Sequence, residues 1–130
     1  MKVTQIYNPD FITDYSIALQ YQINLEKLGC DSKILTTFDA EISGLIHVHN
    51  PLSALILSEL KLPYIFTIHN YYLNNNIYDI SIIEKSIKNS TISLYYDKLL
   101  NPSLVTNKVF FISHDSDWES IGKKLLKMYE

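Results

Sequence analysis

The sequence predicts a single α/β domain over residues 1–130, with a Rossmann-like three-layer architecture and a mostly parallel sheet of about six strands. Short apolar runs typical of strands alternate along the chain with longer runs of helical periodicity. The strand-like runs are continuously apolar, whereas strands with one solvent-exposed face alternate apolar and polar residues. Alternating strands and helices imply right-handed crossovers and a sheet that is covered on both faces.

Six segments have the length and apolar character of strands. The first, KVTQIYN, is stopped by Pro9, and in the fifth, TISLYY, Ile92 and Leu94 alternate with polar neighbours. The predicted strands cover residues 2–8, 32–38, 44–49, 63–69, 91–96 and 108–113.

The first two predicted helices have clear end signals. Residues 13–28 form the first, and Gly29 stands at its C-terminal cap, a position that favours glycine. The second begins at Pro51, which is tolerated at the first helical position, and its apolar stretch ends near Leu60. The buried face of the first helix is expected to hold Ala18, Tyr21, Leu25 and Leu28.

The second half of the chain gives weaker signals. Residues 70–79 are rich in asparagine and predict a loop, followed by a helix over residues 80–88 with Ile80, Ile83 and Ile87 in line. Residues 116–130 predict a terminal helix that packs back on the domain, and Ser116 and Glu119 have capping-box spacing. Its buried stripe is expected to be Trp118, Ile121, Leu125 and Met128.

Charge and composition exclude several classes of function. All eleven positive charges are lysines and the formal net charge is -3, so no basic stripe can follow nucleic-acid phosphates. Only three glycines occur, and the first strand-to-helix turn, NPDFITDYS, contains none, which disfavours dinucleotide binding. We therefore expect neither a nucleic-acid partner nor a cofactor.

The single cysteine and the lengths of the apolar runs predict where in the cell the protein lies and whether it contains a disulfide bond. Cys30 has no second cysteine to pair with and is expected to be a small packing residue. The N-terminal apolar run is too short for a signal peptide, and no apolar stretch approaches the roughly 20 residues of a membrane span. We expect a cytoplasmic protein with no transmembrane segment.

Polar pairs of residues end three of the predicted strands. Because the carboxyl ends of parallel strands share one edge of the sheet, where ligands gather near the topological switch point, we expect these pairs to converge. Neutral imidazole and carboxamide groups can donate to or accept from hydroxyl groups, which suits a sugar ligand. The pairs are His49-Asn50, His69-Asn70 and Ser113-His114.

Two other interpretations of these residues stay open. Asparagine after a strand is a common turn former, and His47, on the same sheet face as His49, is expected to be buried against a helix. The four histidines could also bind zinc or iron, and Asp115 is the one carboxylate close enough in sequence to assist. A small metal-dependent hydrolase is therefore a third hypothesis, although we expect no metal site.

The stretch GLIHVHNPLSALILSELKLPYIFTIHNYY, residues 44–72, resembles the D-I-V-H-x-H … G-x-P-x-V-x-T-I-H-D stretch of family 4 glycosyltransferases. These are retaining enzymes of the two-domain GT-B type. The opening KVTQIYNP and the tail DWESIGKKLLKMYE are also similar to the family's first strand and closing helix. The likeness covers residues 1 to about 96 and residues 117–130.

The resemblance implies an N-terminal, acceptor-binding domain. In that family the histidine that matches His69 lies in the crevice between domains, near the reacting sugar, which implies a catalytic role. Tyrosines could stack on sugar faces, and those expected to be exposed are Tyr71, Tyr72, Tyr95 and Tyr96. The residues expected to surround His69 and bind the acceptor are His49, Asn50, Asn70, Tyr71 and His114.

The chain also departs from the family pattern. Thr13–Tyr15 stand where the family has a glycine pair, Asn70 replaces its aspartate, and the nucleotide-sugar domain with its E-x7-E carboxylates has no counterpart here. We therefore expect hexosyl transfer only with a nucleotide-sugar-binding partner subunit, or in a homodimer whose second copy covers the crevice. The alternative hypothesis is a non-catalytic carbohydrate-binding or regulatory module.

Overall fold

A single sheet of parallel strands forms the centre of the computed structural model, which describes residues 1–38, 42–75, 77–97 and 101–130. Its strands are β1 (Lys2–Ile6), β2 (Asp31–Leu35), β3 (Leu45–Val48), β4 (Ile65–Ile68), β5 (Ile92–Tyr95) and β6 (Val109–Phe111). Their order across the sheet is β2-β1-β3-β4-β5-β6, and every pair is parallel. The predicted fold class is confirmed.

Helices cover both faces of this sheet. The described residues form α1 (Ile12–Lys27), α2 (Pro51–Glu59), α3 (Asn70–Asn74), α4 (Ile80–Asn89) and α5 (Trp118–Tyr129), with a 3₁₀ turn at Pro102–Leu104. On one face, Tyr21 of α1 and Leu125 of α5 share a core cluster with β1 and β4. On the other, Leu57 of α2 and Ile83 of α4 pack with β3 and β4.

The two faces of the sheet differ in polarity. Side chains of a strand alternate between faces, and those directed toward α2 and α4, such as Val48 and Phe66, are apolar. The opposite face, under α1 and α5, carries Gln5, His47 and Thr67, all fully buried. Buried polar groups need hydrogen-bond partners, so this layer has to contain a polar network.

The topological switch point lies between β1 and β3. After β1 the chain enters α1 on one face of the sheet, whereas after β3 it enters α2 on the other. The two connections therefore diverge at the carboxyl ends of these strands, which is where ligands bind in sheets of this type. Because all six strands are parallel, their carboxyl ends share one edge of the sheet, which we call the carboxyl edge.

The predicted C-terminal cap of α1 is confirmed. Gly29 has a φ of 91°, its N–H donates to the Glu26 carbonyl, and the Cys30 N–H donates to the Leu25 carbonyl. This pair of bonds is a Schellman motif, which requires a left-handed residue. Cys30 is buried in the same core cluster as Leu25, in agreement with its predicted packing role.

The structure corrects several local predictions. Leu28, predicted on the buried face of the first helix, is half-buried because it lies at the C-cap of α1. Residues 70–74 of the predicted loop form α3, because the buried Tyr72 anchors this turn in the core; Asn76 lies outside the described residues. Ile80 is 39% exposed, since it begins α4 beyond the edge of the core. Asp117 rather than Ser116 caps α5, and its side chain accepts a hydrogen bond from the Ser120 N–H.

Helix α5 packs closely on α1, and its buried stripe differs from the predicted one. A Cβ atom on Gly122 would lie 2.9 Å from Asn24 Cβ, so the glycine permits this close approach. Trp118 and Met128, both predicted to be buried, are half-buried, whereas Tyr129 is 8% exposed. The Tyr129 side chain therefore reaches into the layer between α5 and the sheet.

Candidate functional site

Three of the four histidines lie inside the protein, on the face of the sheet that α1 and α5 cover. His47 and His49 are 0% exposed and His69 is 1% exposed. His47 and His49 are two residues apart on β3 and its carboxyl end, and their rings stack with centroids 4.7 Å apart. The predicted burial of His47 is confirmed, and His49 and His69 are equally buried.

Each ring nitrogen of His49 and His69 contacts another protein group. His49 Nδ1 lies 3.1 Å from His69 Nε2, so the two imidazoles bond directly to each other. His49 Nε2 lies 2.7 Å from Gln5 Oε1, and His69 Nδ1 lies 2.7 Å from the Tyr96 hydroxyl. These contacts run from β1 through β3 and β4 toward the carboxyl edge.

The same contacts continue inward from Gln5. Gln5 Nε2 donates to the Tyr129 hydroxyl at 3.2 Å, and that hydroxyl lies 2.6 Å from His47 Nδ1. His47 Nε2 contacts Thr67 Oγ1. The seven side chains form one connected network, which we call the polar chain: Thr67, His47, Tyr129, Gln5, His49, His69 and Tyr96.

Burial keeps the histidines of the polar chain neutral at physiological pH. Loss of solvation, together with the neighbouring imidazole, lowers the pKa of His47 and of His69 to about 3. The same two causes hold the pKa of His49 well below its usual range. A neutral imidazole carries one proton, so each ring has one donor and one acceptor nitrogen.

His114 is the histidine nearest to solvent and covers the outer end of the polar chain. Its ring stacks on Tyr96 with centroids 4.3 Å apart, and Trp118 lies against it at 5.1 Å. His114 Nε2 lies 2.7 Å from the Tyr21 hydroxyl. Partial burial lowers the pKa of His114 to about 4, although Asp115 opposes the shift.

The other predicted site residues have separate surroundings. Asn50 caps α2, and its side chain accepts from the Leu52 N–H at 2.9 Å. Asn70 Nδ2 donates to Asp97 Oδ2 at 3.2 Å.

Tyr71 is 40% exposed, as predicted, whereas Tyr72 is buried at 1% because its side chain points into the core beside Phe11. Tyr95 and Tyr96 are half-buried, so neither is the exposed tyrosine that was expected.

Sequence reasoning missed a buried carboxyl group at the switch point. Asp14, in the first turn of α1, is 0% exposed and accepts a hydrogen bond from the Tyr72 hydroxyl. Its Oδ1 atom is one of the buried side-chain atoms without a partner among the described residues. The available signal was helical spacing, because Asp14 lies three and four residues before the buried Ile17 and Ala18.

The environment of Asp14 changes its acidity. Burial raises the pKa of the Asp14 carboxyl group to about 7, although hydrogen bonds from Tyr72 and the Asn8 backbone oppose the rise. Burial and the neighbouring Asp14 raise the pKa of Tyr72, which therefore stays protonated and donates. A buried carboxyl group with a strongly shifted pKa is a candidate functional residue.

The carboxyl edge therefore offers groups that bind hydroxyls or transfer protons. Within the described residues, no group of three or more His, Cys, Asp or Glu side chains could hold a metal ion. No helix in the described part of the chain combines the length and the apolar character needed to cross a membrane. No protein-family model, curated protein or solved structure matches this chain, so its function is inferred from this edge and from the motif resemblance.

Proposed function

We propose that this chain is the acceptor-binding half of a GT-B type sugar transferase and holds a hydroxyl-bearing acceptor at the carboxyl edge. The observation that carries the proposal is Asp14 Oδ1, a buried carboxyl oxygen in the first turn of α1 that has no hydrogen-bond partner among the described residues. A buried polar atom without a partner costs about 1–3 kcal/mol. In this proposal the side chains over Asp14, which is 0% exposed, move aside when the acceptor binds, and a ligand hydroxyl that donates to Oδ1 removes this cost.

The acidity of Asp14 fits the proposed reaction. With a pKa of about 7, both protonation states of this carboxyl group are populated at neutral pH. A general base works best when its pKa lies near the operating pH. In this proposal Asp14 takes the proton of the acceptor hydroxyl. The hydroxyl oxygen bonds to the donor sugar while the bond between that sugar and the nucleoside diphosphate breaks.

The histidines have different roles in this proposal. His69 is almost completely buried and both of its ring nitrogens contact protein groups, which favours an indirect role through Tyr96. His114 and Tyr71 are accessible at the carboxyl edge and are the side chains that contact the acceptor. Asn50 and Asn70 hold the backbone and a neighbouring carboxylate, so they shape the edge.

The donor has to be bound elsewhere. A nucleotide diphosphate carries negative charges that need neutralising groups, and the described residues at the carboxyl edge include the acidic Asp14 and Asp97. The proposal therefore includes a partner subunit or a second copy of the chain that binds the nucleotide sugar. A cytoplasmic location, where nucleotide sugars are supplied, is part of the same proposal.

A binding experiment tests the acceptor site. Purified protein at pH 8 is screened by thermal shift against glucose, galactose, mannose, N-acetylglucosamine and their disaccharides. A ligand that binds only the folded state raises its Tm by mass action. Any hit is then measured against Asp14→Asn, which keeps the shape of the side chain but removes its charge and proton affinity.

The control for this variant is Asp31→Asn, which removes an exposed aspartate at the opposite end of the strands. We expect the saccharide-induced Tm shift, taken relative to each ligand-free variant, to be lost in Asp14→Asn and kept in Asp31→Asn. An equal shift in both variants would show that Asp14 is not in the site. No shift with any saccharide contradicts the acceptor proposal itself.

A second candidate is a non-catalytic carbohydrate-binding module. The observation in its favour is that both ring nitrogens of His49 and of His69 bond to protein groups, so neither of these imidazoles is available to act on a substrate. The two candidates differ in turnover. The chain is mixed with a saccharide that it binds and with each nucleotide sugar in turn, and the release of nucleoside diphosphate is measured as the sign of sugar transfer. Saccharide binding with no release, also after addition of candidate partner subunits, favours the module.

A further inference from the structure

We infer that Gln5 is a positioning residue that holds His47, His49 and His69 in one common tautomer, with the proton on Nε2. Through this tautomer, Gln5 directs the hydroxyl hydrogen of Tyr96 inward, toward His69. The inference goes beyond the proposed function and is independent of it, because tautomers can be measured in the ligand-free protein.

The argument starts from the Gln5 side chain. A carboxamide oxygen only accepts hydrogen bonds, and Gln5 Oε1 lies 2.7 Å from His49 Nε2. His49 Nε2 must therefore carry the proton of this ring. A neutral imidazole has only one proton, so His49 Nδ1 is left as an acceptor.

The next two links follow in the outward direction. His49 Nδ1 lies 3.1 Å from His69 Nε2, and because the first atom accepts, the second must donate. His69 Nδ1 is then an acceptor and takes the hydroxyl hydrogen of Tyr96 at 2.7 Å. The oxygen of Tyr96 keeps its lone pairs, so it can accept a hydrogen bond at the carboxyl edge but has no hydrogen left to donate.

The inward links have the same direction. Gln5 Nε2 donates to the Tyr129 oxygen, which leaves the Tyr129 hydrogen for His47 Nδ1. His47 Nε2 then carries the proton and donates to Thr67 Oγ1. Every link of the polar chain has one donor and one acceptor in this arrangement, and all three imidazoles have the same tautomer.

One other arrangement also satisfies every link. If the Gln5 carboxamide is turned over, each hydrogen bond reverses and all three rings carry the proton on Nδ1. A mixture of tautomers breaks at least one buried bond, so the rings are coupled. The distances favour the first arrangement. The Gln5 atom 2.7 Å from His49 Nε2 is close enough to be the carboxamide oxygen, whereas the Gln5 atom 3.2 Å from the Tyr129 hydroxyl has the longer distance expected of the carboxamide nitrogen.

Long-range ¹H–¹⁵N correlation spectra of ¹⁵N-labelled, ligand-free protein at pH 7.5 test the inference. The two tautomers and the charged ring give different nitrogen shifts, and His114→Gln identifies the signals of the ring outside the polar chain. We expect three neutral rings with the proton on Nε2. A proton on Nδ1, or a charged imidazole, in any of the three rings would overturn the inference.

Two variants test the role of Gln5 itself. Gln5→Met has a similar volume but removes the acceptor, so the Nδ1-protonated fraction of His49 and His69 is expected to rise by about tenfold. Tyr129→Phe is the matched control, because it breaks the neighbouring link and leaves Gln5 Oε1 in place; His49 and His69 are expected to keep their tautomers. Unchanged tautomers in Gln5→Met, or altered tautomers of these two rings in Tyr129→Phe, would show that Gln5 does not set them.

Discussion

Asp14 lies on the buried face of α1, where its carboxyl group is fully removed from solvent and bonds to Tyr72. Folding therefore places a group that ionises near pH 4 in water into surroundings where it ionises at about pH 7. The folded state therefore loses stability once the pH exceeds the pKa that Asp14 has in the unfolded chain. Buried carboxyl groups with raised pKa values are typical of functional sites, where a residue that lowers the stability of the fold can be needed for the reaction.

Asp14→Asn is expected to stabilise the protein at high pH. The folded pKa is raised, so the stability associated with Asp14 is fully present below about pH 4 and is lost as the pH rises through 7. The neutral variant avoids this loss, so its free energy of unfolding should increase by on the order of 3 kcal/mol at pH 8 and by less at pH 5. Urea unfolding of both proteins at the two pH values measures the difference.

Asp31→Asn again provides the control, since an exposed carboxylate should change the free energy of unfolding little at either pH. A loss of stability in Asp14→Asn at pH 8 would contradict this account of its burial. An equal gain at pH 5 and pH 8 would contradict the raised pKa.

At the scale of single elements, α5 connects the helical layer to the site. Its first residue, Trp118, contacts His114 and Tyr21, and its last, Tyr129, reaches His47. The capping residue of α5 is Asp117, one position after the serine that capping-box spacing selected. Serine and aspartate are both common at the N-cap position, and the backbone conformation at this turn selects Asp117.

Substitution of the two candidate caps distinguishes them experimentally. Asp117→Ala removes the bond to the Ser120 N–H and should lower the Tm, because an amide at the start of α5 loses its acceptor. Ser116→Ala is the matched control, and we expect its Tm to equal that of the wild type. Thermal unfolding followed by circular dichroism gives both values. A lower Tm in Ser116→Ala alone would restore the capping box.

The elements were predictable to the extent that local sequence decides them. Pro51, Gly29 and the apolar strand runs act within a few residues, and the structure confirms the elements that they predict. Helix α3 was missed because asparagine-rich segments have low helix propensity. The buried Tyr72 stabilises that turn through contacts with residues distant in sequence, which no local pattern contains.

At the scale of the whole molecule, burial couples folding to pH. His47, His49 and His69 are held neutral inside the protein, and their pKa values are lowered. The unfolded chain binds these protons near pH 6.5, whereas the folded chain does not. The stability that they contribute is therefore present above pH 6.5 and is lost as the pH falls toward about 3. Asp14 acts in the opposite direction, since it binds its proton in the folded state first.

Stability is expected to be greatest above about pH 7 and to fall steeply in acid. His47, His49 and His69, and to a smaller extent the partly exposed His114, oppose Asp14 near pH 5, so the free energy of unfolding should decrease by about 3 kcal/mol per pH unit as the pH falls. With a typical total of 5–15 kcal/mol, the protein should unfold between about pH 3 and pH 5. Urea unfolding from pH 7.5 to pH 4.5 measures the slope, and a flat profile would contradict neutral, buried histidines.

The order of apolar runs and the breakers between them were enough to determine a parallel α/β sheet and to bring His49, His69 and His114 near one edge. Tertiary structure decided what those residues contact. The packing of α5 on α1 turned the strand-end histidines from an open ledge into a buried chain. Folding also buried Asp14, which no motif identified, with one carboxyl oxygen that has no partner among the described residues. Side-chain chemistry depends on solvent exposure and on partners distant in sequence, and both exist only after the layers have packed.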